Sequence, residues 1–374
     1  QVIPACDSVL LEDVQMYRGH YVVQERTHGL VRLRVRSWDG ATDRDIAFGE
    51  PAYTVHAWRG SDYNADVLRY TYSSLVTPGS VYDYDMGTGA YHLMKRYKVL
   101  GGYDPRKYVS ERIEATASDG TRVPMSLVYR KGLKKNGHSP CLLEGYGAYG
   151  DSWDPGFSSS RVSLLDRGVV YAIAHVRGGQ ENGRRWYEDG KLLRKKNTFS
   201  DFIACAECLI ANQYTSPAKL VISGGSAGGL LMGAVVNARP ELFRAAVMDV
   251  PFVDMINTML DPSIPLTTAE YEEWGDPRVK EQYEYMASYA PYENLRAQRY
   301  PAMLVTTGLN DANVPYWEPA KWVARLRRLK TDHNILLLKT DLTSGHGGPA
   351  GRYGYMKDTA FTDAFILDML GITN

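Results

Sequence analysis

The sequence lacks most of the features that mark a protein for a specialised setting. No apolar run reaches the roughly 18 residues of a membrane span, and the first residues do not read as a signal peptide. Neither sign of charge is in excess: Lys plus Arg and Asp plus Glu both number 43, which argues against a nucleic-acid binder, a class that usually carries a basic surplus. Cysteine is scarce. Cys6, Cys141, Cys205 and Cys208 in 374 residues make no disulfide framework, which favours a reducing, cytoplasmic compartment. An initiator Met is missing too. The chain opens on Gln1, so an upstream segment is expected. What is present is an ordinary globular composition, 44% apolar and 23% charged, neither disordered nor fibrous and long enough for two or three domains.

The first hundred residues read as β. Val31 to Arg36 alternates strictly, placing Val31, Leu33 and Val35 on one face and three arginines on the other. Residues 21–23, 67–72 and 81–85 are further short strands. The turns at Asp39-Gly40 and Thr88-Gly89 recur 49 residues apart, near the repeat of a four-stranded propeller blade. Two blades cannot close a ring. Gly101-Gly102-Tyr103-Asp104-Pro105 marks the boundary, which divides the chain into residues 1–100 and 101–374. A hairpin turning at Asp119-Gly120 follows. From Pro140 short apolar runs alternate with helical stretches, the pattern of an α/β domain on a mostly parallel sheet. Thr198-Phe199-Ser200-Asp201 reads as a capping-box start for one of those helices.

The sharpest motif is Gly224-Gly225-Ser226-Ala227-Gly228-Gly229. It follows the apolar run Leu220-Val221-Ile222 and precedes the helical segment from Leu230. This is G-x-S-x-G in the context it requires, a tight strand-to-helix turn presenting a serine. The Ala227 N–H would face a developing oxyanion at the helix start. The bland alternative is a glycine-rich turn cradling a phosphate. A serine nucleophile needs a base, and the base an orienting acid, in the chain order Ser, Asp, His for this fold. Asp311 and His346 each follow a predicted strand, in that order. His333 precedes its strand and lies at the wrong end.

With these residues in place the chain resembles the prolyl oligopeptidase family of serine peptidases, in its oligopeptidase B branch. The resemblance rests on Glu144 to Gly150, Val176-Arg177-Gly178-Gly179, Gly224 to Gly229, Tyr316-Trp317-Glu318-Pro319 and Gly345-His346-Gly347-Gly348. It implies an α/β-hydrolase fold preceded by a β-propeller, hydrolysis of short peptides, and no metal or cofactor. It makes Ser226 the nucleophile, Asp311 the acid, His346 the base and Tyr146 the second oxyanion donor beside Ala227. The branch further implies cleavage after Arg or Lys. Glu270 and Glu272, in a stretch with three carboxylates in four positions, match the pair that receives the basic side chain. A carboxylate fork suits a guanidinium well; without the family, a solvated acidic helix would be the preferred reading. Phe252 and Tyr149 are implied as apolar walls and Asp154 as an acidic contributor to the P2 site.

Three departures from the family pattern stand out. Gly156 occupies a place that is acidic in some members. Asn313 stands where many members carry an arginine that contacts substrate backbone. Family members are also about twice as long, so the remaining blades are expected on a separate N-terminal segment or chain of the same protein. No membrane or nucleic-acid partner is expected. Cys205-Ala206-Glu207-Cys208 reads as helical rather than metal-binding, Lys191 to Lys196 as a solvated basic cluster, and His175 as a core histidine. An esterase or exopeptidase of the same fold, or an inactive chain working through its propeller surface, are the competing readings.

Overall fold

The computed structural model describes residues 2–60, 62–351 and 353–373. Its first part is two antiparallel four-stranded sheets in meander order. The first holds β1 (Leu10–Met16), β2 (His20–Thr27), β3 (Leu30–Ser37) and β4 (Asp43–Asp45); the second holds β5 (Tyr53–Ala57), β6 (Val67–Ser74), β7 (Ser80–Asp85) and β8 (Tyr91–Arg96). The alternation in β3 is realised: Val31, Leu33 and Val35 are buried, while Arg34 on the other face makes two hydrogen bonds to Asp43, at 2.5 and 2.6 Å. Gly40 and Gly89, at φ +77° and +82°, fall in the same third-to-fourth hairpin of each sheet. The repeat is therefore structural.

Between the two sheets lies a shared core including Val22, Leu33, Leu68, Tyr70 and Met86. Part of the tyrosine excess of the chain, 27 against 8 Phe, lies here in rings such as the cross-strand pair Tyr70–Tyr82, stacked at 5.4 Å. The outer strand β8 is exposed along its whole length and presents Tyr91, Leu93 and Met94.

The second part is an eight-stranded sheet: β9 (Tyr108–Thr116), β10 (Arg122–Arg130), β11 (Cys141–Glu144), β12 (Val170–Ala174), β13 (Leu220–Gly225), β14 (Ala245–Asp249), β15 (Ala302–Gly308) and β16 (Leu336–Asp341). Its spatial order is β16-β15-β14-β13-β11-β12-β10-β9. Only the pairings made by β10 are antiparallel; β11 to β16 run parallel. This is the α/β-hydrolase sheet. Strand alternation feeds two core layers: Leu220 and Ile222 of β13 pack with the helices Lys196–Ala211, Ala227–Ala238 and Trp317–Leu329, and Val221 packs with the C-terminal helix Gly354–Leu370. Among the described residues no helix is long and apolar enough to cross a membrane.

The two parts are tied by partly buried polar contacts. Arg26 of β2 pairs with Glu12 at 2.7 Å and also with Asp154 of the α/β part, and Thr54 donates to Asp154 at 2.9 Å. The Gly29 N–H donates to the Glu181 carbonyl at 2.8 Å. One local expectation is corrected. The helix Lys196–Ala211 begins before Thr198, whose hydroxyl donates instead to the Arg177 carbonyl at 2.7 Å, while Asp201 accepts from the Arg177 guanidinium. Long-range partners have claimed the side chains that would have formed the cap. Cys205 is buried and Cys208 half-buried on the same helix, both as free thiols.

Candidate active site

β13 runs into Ser226, which adopts φ +55° and ψ −118° before the helix Ala227–Ala238 begins. A non-glycine residue held there is strained, and the turn is fixed from both sides. The Ser226 N–H donates to the Asp249 carbonyl at 2.8 Å, and the Ser226 carbonyl accepts from the N–H of Phe252 and of Leu230, both at 3.1 Å. A Cβ on Gly228 would come within 2.8 Å of the Gly145 carbonyl oxygen. The missing side chain therefore lets the turn after β11 approach the elbow, and Tyr146 on that turn lines the same cavity as Ser226. Burial pushes the Tyr146 phenol up to about 12, so it stays a donor at neutral pH. The Ala227 amide is the first of the helix, where N–H groups have no intrahelical acceptor.

The loops after β15 and β16 meet beside this elbow. A Cβ on Gly308 would lie 2.6 Å from the Ser344 carbonyl oxygen, and the Asn310 N–H donates to that same carbonyl at 3.0 Å. This close approach brings His346 between Ser226 and Asp311. Its Nε2 is 3.1 Å from Ser226 Oγ and its Nδ1 2.8 Å from Asp311 Oδ2. Asp311 Oδ1 accepts the Asn313 and Val314 N–H groups, both at 2.9 Å, which locks the carboxylate in orientation. A hydroxyl, an imidazole and a buried carboxylate in such a relay are equipped for nucleophilic attack with proton transfer.

Ser226 and His346 open onto a cavity of about 250 Å³. Tyr146, Tyr149, Phe252, Glu270 and Asn313 also line it. Glu270 Oε2 accepts from the Trp274 indole N–H at 2.8 Å and from the Tyr149 hydroxyl at 3.0 Å. Burial pushes its carboxyl above the ordinary range, against the opposing effect of those two donors. Phe252 and Tyr149 flank the Trp274 ring at 5.4 and 5.7 Å. A larger cavity of about 630 Å³ also borders His346 but not Ser226, so a scissile bond there would not meet the hydroxyl.

Two residues fall elsewhere. Glu272 is exposed and does not line the cavity. Glu270 caps the one-turn helix Tyr271–Trp274, and residues two apart on a helix do not share a face, so only one of the expected pair turns inward. Asp154 is held by Arg26 and Thr54 and does not line the cavity either. Trp274 was not singled out by sequence, although its place four residues after Glu270 is the spacing that brings two helical side chains together. His175 is a buried core residue with Nε2 2.8 Å from Ser126 Oγ.

An α/β-hydrolase sheet with serine, histidine and aspartate joined at its strand ends is the framework of the serine hydrolases. Within that class, the chain belongs to the prolyl oligopeptidase family. The family model described as "Prolyl oligopeptidase family" matches residues 155–373, and "Prolyl oligopeptidase, N-terminal beta-propeller domain" matches residues 1–97. The chain is 48% identical to "Dipeptidyl aminopeptidase BI" of Pseudoxanthomonas mexicana, over 98% of this chain and 51% of that protein. It is also 48% identical to "Protease 2" of Moraxella lacunata, over 97% of this chain and 52% of that protein. Among solved structures it is similar to oligopeptidase B of Trypanosoma brucei with covalently bound antipain, with a TM-score of 0.94 and 48% identity over 100% of this chain and 54% of that one. The chain thus spans about half the length of the curated relatives it matches.

Proposed function

We propose that this chain carries the catalytic machinery of a serine oligopeptidase that cleaves short peptides after Arg or Lys through an acyl-enzyme. The observation that carries the reading is the unbroken relay Asp311–His346–Ser226 opening onto a cavity whose acidic side chain is Glu270. Ser226 Oγ attacks the scissile carbonyl while His346 Nε2 accepts its proton, and Asp311 holds the Nδ1–H and stabilises the imidazolium. The Ala227 N–H and the Tyr146 hydroxyl donate to the oxyanion. His346 then protonates the departing amine, and water repeats the sequence to release the acid. Glu270 receives the basic P1 side chain between Tyr149 and Phe252, and Asn313 faces the substrate backbone. A desolvated carboxylate discriminates because an uncharged ligand leaves it unpaired.

The reading takes residues 1–100 as a propeller part and 101–374 as the catalytic domain, in a cytoplasmic setting suited to free thiols. Further blades of the same protein would cover Tyr91, Leu93 and Met94 on β8, which would otherwise invite edge association. The name of the Pseudoxanthomonas relative supports a second reading, removal of dipeptides from a free N-terminus. The test uses a fluorophosphonate probe and peptides varied at P1, each with a free and a blocked N-terminus. Labelling that is lost in Ser226→Ala, with hydrolysis after Arg and Lys, supports the proposal. Labelling that survives the substitution would overturn the nucleophile, and a need for a free N-terminus would select the second reading.

A further inference from the structure

Lys195 belongs to the basic cluster Lys191 to Lys196, yet it is 1% exposed. It sits where the short turn Leu192–Arg194 meets the helix Lys196–Ala211, and its ammonium points into the protein. Nζ donates to the Gly147 carbonyl at 2.5 Å, on the turn that bears Tyr146 and Tyr149. It lies 3.5 Å from Glu273 Oε1 and 4.7 Å from the centre of the Trp274 ring. Glu273 is itself buried and accepts from the Tyr187 hydroxyl at 2.7 Å. The one-turn helix therefore places two carboxylates three residues apart, one toward the cavity and one toward Lys195, with Trp274 touching Glu270 and Lys195.

We propose that Lys195 is a positioning residue for P1 recognition: its buried ammonium joins the turn carrying Tyr146 to the helix carrying Glu270, and offsets Glu273 so that Glu270 keeps its negative charge. The proposal rests on the reading of Glu270 as the P1 carboxylate. Its physical basis is that two uncompensated carboxylates in a desolvated wall cannot both stay ionised, since each raises the other's proton affinity. Glu273 acts on Glu270 in that sense. The other groups facing Glu270 are Tyr149, Tyr146 and His346; those facing Glu273 are Lys195, Tyr187, Tyr146, Asp151 and Tyr289. Burial lowers the Lys195 ammonium to about 8, so its compensation is present below that pH and fades above it.

The test compares two peptides alike except for Arg or its uncharged isostere citrulline at P1. The ratio of their kcat/KM values is followed from pH 5 to 9 in the active enzyme, in Lys195→Met, in Glu273→Gln and in the double variant. Effects on the chemical step are common to both substrates and cancel in the ratio. In the wild type the ratio should fall at the acid end alone, as Glu270 takes a proton where Lys195 is fully charged, and then stay level to pH 9. Lys195→Met should move the acid fall upward by about one pH unit, a loss of about tenfold on the acid side, and leave the alkaline plateau where it is. Glu273→Gln should hold the ratio to lower pH, and the double variant should return toward wild type. Parallel losses on both substrates with an unchanged profile would reduce Lys195 to a structural residue and overturn the proposal. Should Lys195→Met fail to fold, Glu273→Gln decides alone: an unmoved acid limb refutes it. A wild-type ratio near one would mean that the P1 reading itself has failed, and this proposal with it.

Discussion

Replacing Glu270 by Gln isolates the charge that would set specificity, because the amide keeps the size of the carboxylate and can still accept from Trp274 and Tyr149. Oε2 is already held by those two donors, so an arriving guanidinium meets chiefly Oε1. If the Gln oxygen takes over the two internal bonds, its NH₂ faces the substrate, and donor meets donor. Breaking a desolvated charge pair costs about 2–5 kcal/mol, and a single free oxygen places this pair in the lower half of that range. At about 1.4 kcal/mol per tenfold, kcat/KM for an Arg substrate should fall on the order of 10²-fold. The citrulline substrate should lose little, since Ser226, His346 and the oxyanion donors are untouched. Glu272→Gln is the internal comparison: an exposed charge contributes at most about 1 kcal/mol, and raised salt should erase its effect. Steady-state kinetics at fixed ionic strength supply both ratios. An unchanged Arg-to-citrulline ratio in Glu270→Gln, or an equal loss in Glu272→Gln, would refute the assignment of P1 recognition to the buried carboxylate.

Three further outcomes are expected. Tyr146→Phe removes one of the two proposed oxyanion donors and should lower kcat on the order of 10²-fold with little change in KM; a loss confined to KM would place the hydroxyl in ground-state binding. Ser226→Gly and Ser226→Ala both delete the hydroxyl, but only Gly relaxes the φ +55° backbone, so the Gly variant should be the more stable by about 1 kcal/mol in denaturant melts. Equal stability would mean the elbow is unstrained. Glu318 is fully buried and accepts from the Asp254 N–H and the Thr258 hydroxyl, and burial pushes its carboxyl from 4.5 up to about 8. The folded state thus keeps a proton that the unfolded chain releases, and this contribution to stability is lost as pH rises from about 4.5 through 8. The melting temperature of the wild type should therefore decline across that window relative to Glu318→Gln; parallel curves would contradict it.

The parts of the molecule that were legible in the sequence are those whose determinants are local. The apolar run of β13, the glycine-flanked serine and the helix after it form one continuous stretch, so the elbow can be read without knowing what surrounds it. Strict alternation made β3 visible. The edge strand β8 has no buried face to impose alternation, and β1, whose residues are at most half-buried, is equally unmarked. Asp311 and His346 were identifiable because chain order and strand ends constrain them, although 35 residues separate the two atoms that now bond.

What escaped was decided by partners distant in sequence. Asp154 looks like a free carboxylate beside the site until Arg26, 128 residues earlier, takes it. Lys195 reads as one of several solvated cations, and only the meeting of Gly147 and Glu273 around its ammonium shows why this one is buried. The acidic segment is the sharpest case. Glu270, Glu272 and Glu273 are equivalent as letters, yet one turn of helix sends them to three environments: a cavity beside a nucleophile, solvent, and a buried ammonium. The proposed selectivity would follow from that separation, because a carboxylate is discriminating only when it is desolvated and left without a cation of its own. Glu272 fails the first condition and Glu273 the second, which leaves Glu270.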